Sequence, residues 1–152
     1  MKDTNFRKET ILYVCIILFL ILLIGGCRNK QVKTNLDTQL IDGFSLVVDS
    51  VTEDSITLSF KNNTNIIYGY GATYYLEKRT NQKLWDELSP LDGVPWIQDD
   101  WLMNVYPGKE STITYKWDWY YGSIPAGDYR IVVLILEEDN KEPIMLSAEF
   151  SI

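Results

Sequence analysis

From Phe44 onward, apolar and polar side chains alternate with a period of two, the spacing of strands with one buried face. Phe44, Leu46 and Val48 alternate with Ser45, Val47 and Asp49, and the polar stretch Thr52 to Ser55 predicts a turn. Ile56, Leu58 and Phe60 then alternate with Thr57, Ser59 and Lys61, and Asn62 to Asn65 carries turn chemistry. A longer strand is predicted from about Ile66 to Lys78, with Tyr68, Tyr70, Ala72, Tyr74 and Leu76 on one face. Arg79 to Gln82 closes a turn into a short return strand, Lys83 to Leu88, which holds Trp85. Ser89 to Asp100 reads as irregular, and Tyr106 to Lys109 as a turn into a strand from Ser111 to Trp119, with Ile113, Tyr115 and Trp117 facing in. The run Tyr129 to Leu136 is apolar on both faces, which predicts a central strand. Glu137 to Lys141 is a charged turn, and Pro143 to Ile152 closes the chain as a last strand.

Seven or eight strands at a spacing of about ten residues predict an all-β protein, an immunoglobulin-like two-sheet antiparallel sandwich. A small closed barrel is the alternative architecture. Tyr129 follows the turn Pro125-Ala126-Gly127-Asp128 and opens the longest apolar run. In sandwich domains a tyrosine near the start of the sixth strand donates its hydroxyl to backbone a few residues upstream. Tyr129 is placed for that role, with an ordinary core tyrosine as the alternative.

The segment before Phe44 reads differently. Lys2, Arg7 and Lys8 precede an uninterrupted apolar run of 14 residues, Ile11 to Ile24. As a helix it would reach about 21 Å, short of the roughly 30 Å hydrocarbon core, which suits a signal peptide better than a span. The run ends Leu23-Ile24-Gly25-Gly26-Cys27. This resembles a bacterial lipoprotein signal, in which a branched apolar residue and two small residues precede the lipidated cysteine. The resemblance implies that Cys27 receives a diacylglyceryl group and becomes the new N-terminus, and that Gly26 is the last residue lost. The alternative is an uncleaved signal-anchor with an incidental cysteine. Residues 1–26 are thus read as the signal peptide, 27–42 as the lipidated cysteine and a polar tether, and 43–152 as the sandwich. A short helix near Leu36 to Ile41 is the alternative for the end of the tether. The expected location is the extracytoplasmic face of the cell membrane, with the membrane reached through the lipid. Burial of acyl chains contributes about 0.8 kcal/mol per methylene, so two chains hold the protein firmly.

Charge supports a domain that stands off that surface. The net charge is -7, from 14 basic and 21 acidic residues. Without residues 1–26 it is -8, because three basic and two acidic residues are removed. Anionic headgroups repel such a chain, and the acidic balance argues against nucleic acid as a partner. The chain contains no histidine. Ser-His-Asp and Cys-His catalysis lack their base, and a His/Cys zinc site is nearly excluded. Cys15 leaves with the signal, so the single remaining cysteine, Cys27, allows no intramolecular disulfide.

A second resemblance covers about 65 residues, from Tyr74 to Leu136. It is carried by Tyr75-Leu76-Glu77-Lys78, Trp85, Pro107-Gly108, Trp117, Tyr121-Gly122, Ile124-Pro125, Gly127 and Tyr129-Arg130-Ile131-Val132. This spine is similar to that of bacterial immunoglobulin-like domains on exported proteins of low-GC Gram-positive bacteria. Val133 stands where that family often has lysine. The resemblance implies fold and export, gives Trp85 a core position capping its strand, and transfers no ligand or activity.

Candidate chemistry is sparse. Asp99 and Asp100 are adjacent, and on an extended chain they point opposite ways, so they cannot act together on one bond. Asp92, Asp99 and Asp100 are oxygen ligands within one loop region but lack calcium-loop spacing. Glu137-Glu138-Asp139 reads as a solvated hairpin tip. The reading therefore contains no catalytic residue, no metal site and no cofactor. What remains is an excess of aromatics. Trp96, Trp101, Trp119 and Tyr121 are predicted at loop or strand ends, where rigid rings anchor a protein partner or stack on a glycan. The competing role is packing, with the long loop folded over Val132, Leu134 and Leu136. The expectation is a non-enzymatic binding module that contacts an envelope protein or glycan. A loop-inserting protease inhibitor or an accessory subunit of an envelope complex are the alternatives.

Overall fold

The computed structural model describes residues 38–81, 83–95 and 102–152. Its strands are β1 (Phe44–Val51), β2 (Ser55–Asn62), β3 (Tyr68–Arg79), β4 (Trp85–Glu87), β5 (Met103–Val105), β6 (Glu110–Lys116), β7 (Asp128–Glu137) and β8 (Asn140–Ser151). One helical turn, α1 (Asp118–Tyr121), follows β6. β1, β2 and β6 form one antiparallel sheet in the order β1-β2-β6. The other sheet runs β4-β3-β7-β8, with β5 pairing the opposite end of β3 from β4. The architecture is the predicted antiparallel two-sheet sandwich, and β7 is central as its two apolar faces require.

The period-two pattern sets the core. Ile56, Leu58 and Phe60 of β2 and Tyr115 of β6 pack against Tyr70, Tyr74 and Leu76 of β3 and Tyr129, Ile131, Val133 and Ile135 of β7. Tyrosine hydroxyls bridge the layers, since a buried hydroxyl needs a partner. Tyr70 shares a hydrogen bond with Ser111 at 2.7 Å, Tyr74 donates to the Lys116 carbonyl at 2.7 Å, and Tyr115 donates back to the Gly71 carbonyl at 2.8 Å. These contacts tie β6 to β3 in a domain without a disulfide. Tyr129 donates its hydroxyl to the Pro125 carbonyl, the tyrosine-corner contact expected at the head of this strand.

At the opposite end, Asn62 is buried and uses its whole side chain. Nδ2 donates to the carbonyls of Ile66 and Val105, both at 2.7 Å, and Oδ1 accepts from the Thr64 amide at 2.9 Å and hydroxyl at 2.7 Å. This clamp holds the β2–β3 turn against β5. The chain approaches β1 beside β8, where the Gln39 amide donates to the Met145 carbonyl at 2.8 Å. Residues 38–41 are not helical. Gly43 then turns the chain at φ 80°, and a Cβ there would meet Thr64 Cγ2 at 3.2 Å, so the position suits glycine alone.

Two local expectations are corrected. The strand predicted to reach Trp119 stops at Lys116. Beyond it the amides of Tyr120 and Tyr121 both donate to the Trp117 carbonyl, at 3.0 and 2.7 Å, and wind the chain into α1. Gly122, at φ 68°, ends that turn. The structure also adds β5, three residues with no alternation of their own, which is held to β3 from Tyr68 to Tyr70.

Candidate functional site

Cys27, Trp96 and Trp101 lie outside the described residues, as do Asp99 and Asp100. Trp119 and Tyr121 are described, and α1 separates them. On a strand, residues two apart share a face, whereas on a helix they diverge by about 200°. Trp119 accordingly points to solvent, 46% exposed, while Tyr121 is 7% exposed in the core. The Tyr121 hydroxyl accepts from the Leu76 amide at 3.4 Å, and its ring meets Tyr120 edge-on at 4.7 Å. Tyr121 therefore does not share a surface with Trp119. The accessible apolar groups tied to α1 are Trp119 and Leu91, whose amide donates to the Tyr120 carbonyl at 2.9 Å. Trp117 is fully buried, stacks on Phe150 at 5.7 Å and donates its indole N–H to the Glu53 carbonyl at 3.2 Å.

The buried tyrosines are held neutral. Burial pushes the hydroxyls of Tyr74, Tyr115 and Tyr121 far above the ordinary tyrosine value. They are structural donors and acceptors without a proton to give near neutral pH.

A polar cluster absent from the sequence-based site lies on the outer face of the β3–β7 sheet. Glu77 and Arg130 are direct cross-strand neighbours. Glu77 is fully buried, and Arg130 Nε donates to its Oε2. Glu77 Oε1 has no hydrogen-bond partner. The Arg130 guanidinium lies 5.0 Å from the Trp85 ring centre and the Arg79 guanidinium 5.5 Å, with Arg79 reaching Glu149 at 3.9 Å. Trp85 is thus half-buried on the outer face of an edge strand, in place of the core position the resemblance implied. Cation–π contact and ion pairing join β4, β3, β7 and β8 here. A buried carboxylate held by a guanidinium on the neighbouring strand fastens β3 to β7. The strand register was the missing signal, because Glu77 and Arg130 are 53 residues apart in sequence.

On the same face Val132 is fully buried, and Leu134 and Leu136 are half-buried. Asp92 is exposed, and Glu138 and Asp139 form the exposed tip of the β7–β8 hairpin. Among the described residues no group of three or more His, Cys, Asp or Glu is placed to hold a metal ion, and no helix is long and apolar enough to cross a membrane.

A family model for the bacterial Ig-like domain matches residues 44–151. The chain belongs to the bacterial Ig-like domain family. The match runs from the first residue of β1 to the last of β8, so this Ig-like domain accounts for the whole sandwich. Among solved structures, the X-ray structure of Northeast Structural Genomics Consortium target SoR45 is similar at a TM-score of 0.47 and 14% identity, over 75% of this chain and 89% of that chain. A comparison with curated proteins finds no match. Within the Ig-like domain, spine residues separated in sequence come together in two places. Glu77, Trp85 and Arg130 form the outer polar cluster, and Pro125 and Tyr129 form the corner.

Proposed function

We propose that the protein is a lipoprotein of the extracytoplasmic membrane face that displays its Ig-like domain as a non-catalytic interaction module. Family membership supports the extracellular interaction role. The Leu23-Ile24-Gly25-Gly26-Cys27 sequence supports attachment through Cys27, and the polar stretch after it supports a tether. The observation that carries the reading is the placement of Trp119. α1 follows the β6 terminus, Lys116, which pairs with Ser55 at the far end of β2 from Phe44. Trp119 is therefore presented about one strand length, roughly 25 Å, from the end at which the tether joins the sandwich. A large exposed ring at the far end of a tethered domain suits contact with an envelope protein or glycan.

Two measurements test this. Cells given an alkyne-bearing palmitate analogue incorporate it into the full-length protein and not into Cys27→Ala; equal labelling of both overturns the anchor. A photo-crosslinking amino acid at position 119 gives a discrete adduct in intact cells, and the same group at exposed Val47 does not. Identical patterns from both positions remove Trp119 from the interaction.

A further inference from the structure

β5 is a strand of three residues that pairs with β3 from Tyr68 to Tyr70. So short a strand has little ladder of its own, and side chains fasten it at both ends. At one end the Val105 carbonyl accepts from Asn62 Nδ2 at 2.7 Å. At the other, Met103 is the cross-strand neighbour of Tyr70, whose hydroxyl donates to Met103 Sδ at 3.7 Å. The Tyr70 side chain is fully buried and stacks on Phe60 at 4.1 Å, and its oxygen shares a second hydrogen bond with Ser111 of β6 at 2.7 Å. A hydrogen-bonded line thus runs from β6 through β3 to β5. Yet Met103 is 44% exposed. An oxidant in water therefore meets a side chain whose sulfur serves a buried hydroxyl.

We propose that Met103 is a site of reversible oxidation and that its conversion to the sulfoxide releases β5 from Tyr70. The oxidant is a peroxide or a hypohalous acid. With hydrogen peroxide, a sulfur lone pair attacks one peroxide oxygen, an S–O bond forms, the O–O bond breaks and water leaves. The thioether loses two electrons and the peroxide gains them. The sulfur becomes the positive end of the new S–O dipole and stops accepting from Tyr70. The Tyr70 proton turns to Ser111, and the line to β5 is cut. The sulfoxide is also polar where the thioether was apolar, so it draws the side chain toward water. β5 lies between exposed Leu102 and exposed Tyr106, and its release changes the surface that the domain shows along this edge. Methionine sulfoxide reductases return the thioether and with it the contact. Trp119 takes no part in this chemistry, so the proposal goes beyond the interaction role and is tested apart from it.

The test uses the full-length chain in neutral detergent, treated with hydrogen peroxide and then followed by peptide mass mapping and amide hydrogen exchange. Met103 takes up one oxygen before half-buried Met145 does. The amides of β5 that pair with β3 then exchange about tenfold faster, and treatment with methionine sulfoxide reductases reverses the change. Met103→Leu keeps the apolar bulk, and its β5 exchange is the same before and after peroxide, which also separates the effect from oxidation at the cysteines. In Tyr70→Phe, Met103 still oxidises, but β5 exchange does not respond, because the hydroxyl that senses the sulfur is gone. The proposal is overturned if Met145 oxidises as fast as Met103, if oxidised and reduced wild type exchange alike at β5, or if Tyr70→Phe responds as the wild type does.

Discussion

The two sheets present different outer faces. On the β1-β2-β6 sheet the outer face is a ladder of polar side chains, open to solvent at Thr112 and Thr114 and closed over only at Ser59. Thr57 meets Thr114 at 2.9 Å, Ser59 meets Thr112 at 3.2 Å, and Lys61 reaches Glu110 at 3.5 Å. On the other sheet the outer face holds buried Glu77, Arg130 and Val132. The difference lies in what each tolerates. An exposed hydroxyl pair exchanges freely with water, so its loss costs little. A buried carboxylate with one orphan oxygen depends on its guanidinium, so removing a single partner strands a charge.

The comparison is broken most sharply by Arg130→Met. That change leaves Glu77 buried without its cation and is expected to cost about 3–5 kcal/mol by urea denaturation. Adding Glu77→Leu recovers most of the loss, because the charge goes with its partner. A single-variant cost no greater than that of Thr57→Val would mean that the second face is as wet as the first.

Next comes alkaline pH. Tyr74, Tyr115 and Tyr121 have folded pKa values raised above the unfolded value of about 10. Below pH 10 both states hold these protons and the contribution is complete. Above it the unfolded chain releases them first, so stability falls with rising pH. Denaturation midpoints should be flat from pH 7 to about pH 9.5 and then drop, with a shallower drop in Tyr115→Phe.

Smaller is the corner. Tyr129→Phe leaves the ring and removes the donor to the Pro125 carbonyl, for about 1–2 kcal/mol. Smallest is Thr57→Val, within about 0.5 kcal/mol because the site is on the solvated face. A larger loss there would show that the hydroxyl ladder is a structural unit.

The sandwich was legible because β1, β2 and β6 alternate cleanly and β7 is apolar on both faces, and each pattern has one comfortable placement. Tyr129 was legible because its turn and strand are adjacent in sequence. The failures have a common cause. Trp119 and Tyr121 share a face only if the chain stays extended, and the backbone bonds to the Trp117 carbonyl that bend it leave no periodic mark. β5 is too short for any period to show. Glu77 and Arg130 are 53 residues apart in sequence, and only the β3–β7 register reveals that they are cross-strand partners. Gly69 is likewise placed by register, a residue without a side chain between Asn104 and Leu136.

The Asn62 clamp bears on how the protein can be produced. Asn62-Asn63-Thr64 is an acceptor sequence for N-linked glycan, and its side-chain nitrogen is the atom that closes on the Ile66 and Val105 carbonyls. In a eukaryotic secretory host, sugar transfer and folding would therefore compete for one nitrogen. Chains modified before the turn closes would carry a bulky group where the structure needs a buried amide, so site occupancy would record how slowly that corner folds.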